Sequence, residues 1–179
     1  MPLRPVTSAA LLALAGLAAP VLAQDRPITG TNRVIARHAD WSVVVADTNR
    51  GKLCYAAGSP RLRRPEGAVR GRAFVFVTTR PSDRVRDEFA VEFGFEVTSG
   101  STLTIGDEIF PLSGDMQGAW IANLADETRL VAAMRDRAEM TLRSMSQLGE
   151  ETVDTYALKG FAEALAQARR ECADPNSTS

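Results

Sequence analysis

The chain has 179 residues, 45% of them hydrophobic, 24% charged and 6% aromatic, and its formal net charge is −1 at pH 7. That length supports one domain with a real core, and the near balance of charge excludes a protein built to hold nucleic acid by its phosphates. One histidine and two cysteines, with no Cys-x-x-Cys, leave little from which to build a metal or thiol-redox centre.

The first residues predict a targeting segment. Arg4 gives a positive start, Ala9 to Ala19 is an apolar run, Pro20 breaks it, and Val21-Leu22-Ala23 supplies small residues at a signal-peptidase spacing. The run falls short of the roughly 20 apolar residues that span a bilayer. Residues 1–23 are therefore read as a cleaved Sec-type signal peptide, cut after Ala23, with no transmembrane helix after processing. Residues 24–40 form a polar leader or edge segment, 41–172 one β domain, and 173–179 a flexible tail.

Strand signals then follow closely. Trp41 to Ala46 (WSVVVA) and LCYAA flank the turn residues DTNRGK, as in a hairpin. RAFVFVTTR has the length and continuous apolarity of a central strand buried on both faces. Phe89, Val91, Phe93, Phe95 and Val97 occupy every second position, which predicts a half-buried strand. TLTIGDEIFPL reads as two short strands bent at Gly106-Asp107, and GAWIANL as another. Leu130, Val131 and Met134 form the stripe of a short helix that Asp126 could cap. AEMTLRSMS and EETVDTYAL return to strand alternation before a last helix. Many short strands between turn signals predict a mainly β fold, a β-sandwich with a short helix and a C-terminal helix.

Two cysteines in an exported chain predict a disulfide between Cys54 and Cys172, 118 positions apart. In LKGFAEALAQARREC, Leu158, Phe161, Leu165, Ala168 and Cys172 recur at helical spacing, so Cys172 should face inward, toward a strand cysteine. Trp41 and Trp120 are both read as core residues of strands.

Catalytic constellations are scarce. There is no Gly-x-Ser-x-Gly elbow, Walker loop or Gly-x-Gly-x-x-Gly motif, and His38 has no recognisable partner. His38 with Asp40 gives two ligands, too few for a structural zinc site. Arg61, Arg63, Arg64, Arg70 and Arg72 place five guanidinium groups in one loop, a candidate site for an anion or a partner, since Arg binds carboxylate and phosphate bidentately. The plainer reading is a solvated loop. Asp154-Thr155-Tyr156 could present a carboxylate and a phenol together, but a structural role at a strand–helix junction fits better.

Taken together, the tryptophan strand, KLC, EFGFEV, LVAAM and above all the ending DTYALKGFAEALAQARREC resemble the invasion-associated locus B family of exported bacterial proteins. The likeness runs from Trp41 to Cys172 and is most specific at Asp154, Thr155, Tyr156, Leu158, Gly160, Phe161, Ala164, Leu165 and Cys172, with Trp41, Cys54, Gly94 and Met134 as weaker landmarks. The chain departs from the family pattern at Ala157 and at Gln147-Leu148-Gly149-Glu150. The resemblance implies an immunoglobulin-like β-sandwich in the periplasm or secreted, and it brings no catalytic residue and no cofactor. The expected function is binding, without catalysis, of an envelope or host protein. The alternative is an anionic ligand, glycan or lipid headgroup held by the sheet face or the Arg-rich loop. A hydrolase built around His38 is the third reading.

Overall fold

Alternation of apolar and polar side chains sets the strands, and small or turn residues end them. The computed structural model describes residues 30–98, 100–115 and 117–173. The expected signal peptide, the first residues of the leader and the tail from 174 onward lie outside the described residues. In chain order the elements are β1 (Gly30–His38), β2 (Trp41–Thr48), β3 (Gly51–Gly58), β4 (Leu62–Arg64), β5 (Phe74–Arg80), β6 (Val85–Glu92), β7 (Thr102–Ile105), β8 (Glu108–Asp115), β9 (Gly118–Ile121), α1 (Glu127–Asp136), β10 (Glu139–Met145), β11 (Glu151–Ala157) and α2 (Phe161–Glu171).

All strand pairs are antiparallel, in the order β1-β2-β3-β5-β6-β9-β8-β7-β10-β11-β4. The ladder is continuous because β8 serves two neighbours: Glu108 to Pro111 pair with β7, and Leu112 to Asp115 pair with β9. The fold is mainly β and sandwich-like, with one core. Val43, Val45, Cys54, Val75, Val77, Phe89 and Val91 of one half join Leu103, Phe110, Leu142 and Tyr156 of the other. The polar leader supplies β1, an edge strand with a bulge between Val34 and Ala36.

Five expectations need correction, the fifth at the last helix. RAFVFVTTR is a central strand, but Val75 and Val77 alone face the core, while Phe74 and Phe76 point to the other face and stay half-exposed. The strand through Phe89 ends at Glu92: Gly94 takes φ +72°, and a Cβ there would lie 2.4 Å from the Arg72 carbonyl oxygen. The burial alternation survives the break, with Phe93 and Val97 buried. Asp126 does not cap α1. Asn123 accepts from the Ala125 N–H at the start of a preceding 3-10 turn, and Asp126 bonds Arg129 at 2.9 Å. Trp120 is exposed, because Ala119 and Ile121 on either side of it face inward.

The last helix starts later than its stripe suggested, at Phe161, after a left-handed Gly160 (φ +88°). A Cβ at Gly160 would meet the His38 carbonyl oxygen at 2.0 Å, so only glycine lets the helix start against the β1–β2 turn. Leu158 precedes the helix yet is buried with Phe161, Leu165, Ala168 and Cys172, so the stripe itself is real. Cys172 meets Cys54 on β3 in a disulfide with Cα atoms 5.8 Å apart. Lys52 Nζ donates to the Glu171 carbonyl oxygen at 2.6 Å, meeting the helix C-terminus with a positive charge. The Trp41 indole packs on Phe161 with ring centroids 4.8 Å apart and donates to the Ala157 carbonyl oxygen at 3.0 Å.

β9 pairs with β6 only from Ala90 to Glu92. Just before that stretch, the Phe89 N–H donates instead to Glu127 Oε1 of α1 at 2.8 Å. Burial raises the Glu127 carboxyl pKa above its ordinary value, the Phe89 N–H opposes that, and Glu88 and Asp87 add to the rise. A raised folded-state value gives stability that is fully present below the unfolded carboxyl value of about 4.3 and is lost as pH rises through the folded one. Glu127→Gln keeps an acceptor without charge, so it should be at least as stable as the parent at neutral pH, with the advantage gone near pH 4. Glu127→Ala removes the acceptor and should be less stable at both. Urea midpoints at the two pH values check this.

Candidate functional site

The five arginines do not form one cationic surface. Arg63 Nε donates to Asp154 Oδ2 at 3.1 Å and Arg70 donates to Asp154 Oδ1 at 2.9 Å, so one β11 carboxylate holds both. Arg63 also donates to the carbonyl oxygens of Gly71 (2.6 Å) and Phe93 (3.1 Å). The Arg70 guanidinium lies 5.5 Å from the centre of the Phe95 ring. Side-chain exposure is 6% for Arg70 and 4% for Asp154, which makes this an internal Arg–Asp–Arg group. Its members come from three places: Asp154 faces inward on β11 beside Thr152 and Tyr156, Arg63 sits on the edge strand β4, and Arg70 on the loop before β5. Asp154 bonds both guanidinium groups, Arg70 Nε alone being left without a hydrogen-bond partner, and the group joins the Arg-rich loop to the closing strand.

The other three differ. Arg61 forms a two-bonded pair with Asp40, both bonds 2.8 Å, which ties the start of the loop to the β1–β2 turn. Arg64 lies 4.0 Å from Glu66, both exposed. Arg72 is exposed, has no carboxylate partner among the described residues, and lies 5.2 Å over the Phe74 ring.

The Asp-Thr-Tyr run is structural in its geometry. Thr155 pairs with Leu62 and its carbonyl oxygen accepts the Arg61 N–H at 2.8 Å. Tyr156 is fully buried, and burial raises its phenol pKa, with Asp154 adding and Arg63 and Arg70 opposing. That phenol is held protonated and is far from serving as a base. His38 Nε2 bonds Gln167 Oε1 of α2 at 2.8 Å, and Asp40 is engaged by Arg61, so the two candidate ligands are used to dock α2 and the loop. Among the described residues no group of three His, Cys, Asp or Glu side chains is placed to hold a metal ion.

Among the described residues, the sheet face opposite α2 carries no covering element. Residues directly across an antiparallel ladder share a face, so Ser42, Ala57, Phe76, Ala90 and Trp120 form one row across β2, β3, β5, β6 and β9. Tyr55 meets Phe76 edge-on at 5.6 Å, and Phe74 lies 5.9 Å from Phe76. A shallow depression of about 430 Å³ runs over these rings, with Arg37, Ser42, Arg72 and Glu92 at its rim. Partial burial raises the Tyr55 phenol pKa, so the phenol stays protonated at neutral pH. Of the five loop arginines, Arg72 alone lines this depression. The aromatic residues were missed in the sequence, although the strict Phe-Val-Phe-Val order of β5 sets rings on one face and β-branched side chains on the other.

A mainly β chain with a terminal helix tied back by a disulfide, and a closing strand locked by buried arginines, defines a structural class in which the C-terminal segment completes the fold. The model for the invasion associated locus B (IalB) protein family matches residues 41–169. No curated protein and no solved structure matches the chain. The chain belongs to the invasion associated locus B family.

Proposed function

We propose that this is an exported, non-enzymatic binding protein of the periplasm or cell envelope, and that its partner docks on the open aromatic face of the sheet. The observation that carries the reading is the cluster of Tyr55, Phe74 and Phe76 beside Arg72, a set of half-exposed rings on a rigid central sheet with a cation that no carboxylate engages among the described residues. Exposed aromatic area on rigid strands is what a binding surface uses, because little conformational freedom is lost on contact. The groups that catalysis would draw on are engaged elsewhere: His38 with Gln167, Asp154 with two arginines. Export is supported by the buried disulfide, a bond favoured outside the reducing cytosol, and by the family.

A second reading, a small anionic ligand, rests on Arg72 alone. The test compares immobilised parent protein with the Tyr55→Ala/Arg72→Ala variant against envelope extract. A component retained by the parent and lost by the variant is the expected result. Equal retention by both, or none by either, overturns the proposal.

A further inference from the structure

The chain has two tryptophans in opposite environments. Trp41 is 1% exposed, whereas Trp120 on β9 is 45% exposed. The Trp120 ring lies along its own strand above Gly118, where a Cβ would come within 3.6 Å of the ring edge. Beside it is a cleft of about 320 Å³ lined by Leu53, Lys52, Arg80, Ser82 and Glu88, among others. Arg80 and Glu88 form a two-bonded planar pair at 2.6 and 3.1 Å, and Arg80 also holds Asp83 at 3.2 Å. These donors and acceptors are thus fixed before any ligand arrives.

We infer that this cleft is a saccharide-binding subsite. A pyranose ring has an apolar C–H face and a polar rim of hydroxyls. An exposed indole supplies the stacking surface for the first. A pre-ordered guanidinium–carboxylate pair supplies donors and acceptors for the second. Three basic and two acidic side chains line the cleft, a near balance that suits hydroxyls better than phosphates. The register extends the site. Trp120, Ala90 and Phe76 are neighbours across three strands, so the backbones that carry the two rings stand about 10 Å apart with Ala90 between them. A glycan longer than one unit can touch both, so a tetrasaccharide binds more tightly than its monosaccharide.

This inference rests on the reading of the chain as a binding protein and names one ligand class for the same face. Because Trp41 is shielded, ligand-induced change in tryptophan emission reports Trp120. Purified protein is titrated with cellotetraose, chitotetraose and maltotetraose, with calorimetry on the parent, Trp120→Ala and Trp120→Phe. Expected is saturable binding of at least one tetrasaccharide with an emission shift, weakened about tenfold or more in Trp120→Ala and largely kept in Trp120→Phe, which retains a stacking ring. No saturation with any of the three, or equal affinity in Trp120→Ala, overturns it. If the tetrasaccharides fail while an envelope component is still lost on Tyr55→Ala/Arg72→Ala, the saccharide inference falls and the broader binding function stands.

Discussion

Asp154→Ala is expected to cost about 3–5 kcal/mol of folding stability, a large part of what a domain of this size has. The substitution removes a carboxylate with 4% side-chain exposure and leaves Arg63 and Arg70 facing each other without a counter-charge. Arg70, at 6% exposure, cannot turn to water without opening the loop, whereas Arg63, at 24%, can do so in part. The two single variants should therefore rank, with Arg70→Ala costing more than Arg63→Ala. Urea denaturation followed by tryptophan emission measures all three, and a midpoint for Asp154→Ala matching the parent would refute the structural role given to the closing motif. The same experiment separates structure from binding: if the arginines served an external anion, removing them would change ligand retention more than stability.

Breaking the Cys54–Cys172 bond is expected to be the other large effect. The bond closes a loop with a sequence separation of 118, for which restriction of the unfolded chain alone is worth roughly 4–5 kcal/mol. Both sulfurs are buried, Cys54 completely, so a small thiol should reduce the bond slowly in native buffer and quickly in moderate denaturant. The Cys54→Ser/Cys172→Ser variant should keep α2 docked, because Arg169 still forms its two-bonded pair with Asp87 (Nε to Oδ1 at 2.7 Å) and Phe161 still packs on Trp41. A lowered denaturation midpoint with an unchanged far-ultraviolet dichroism spectrum is the outcome that fits. Complete loss of helix signal would show that the disulfide is what seats the helix.

Much of this architecture is written in local periodicity. Leu158 to Cys172 announce a buried stripe, Phe89 to Val97 alternate as an inward face must, and two cysteines with no Cys-x-x-Cys spacing allow one long-range bond. Contacts between distant segments are a different matter. Asp154 lies 84 residues from Arg70 and 91 from Arg63. No pattern within either segment encodes the pairing. Arg63 and Arg70 look the same in sequence as Arg64 and Arg72, and only the pairing of β4 with β11 decides which are internal. Trp120 shows the same gap. Its neighbours Ala119 and Ile121 state that it faces the other way, but which side of β9 meets solvent depends on β6 and β8. The open aromatic face is a property of sheet order, so it becomes visible only when β3, β5, β6 and β9 stand side by side.

The pairing of β4 with β11 also has a consequence in time. Strand β4 belongs to the first half of the chain, yet its partner is the last strand made. Cys54 likewise waits for Cys172, and Trp41 for Phe161 and the Ala157 carbonyl. A nascent chain that ends before Asp154 has an edge without a partner, a cysteine without a mate and two arginines without their carboxylate. Such long-range closure makes folding late and collective. A chain threaded through a membrane as an unfolded strand, N-terminus first, would gain its shape only after its final residues had crossed.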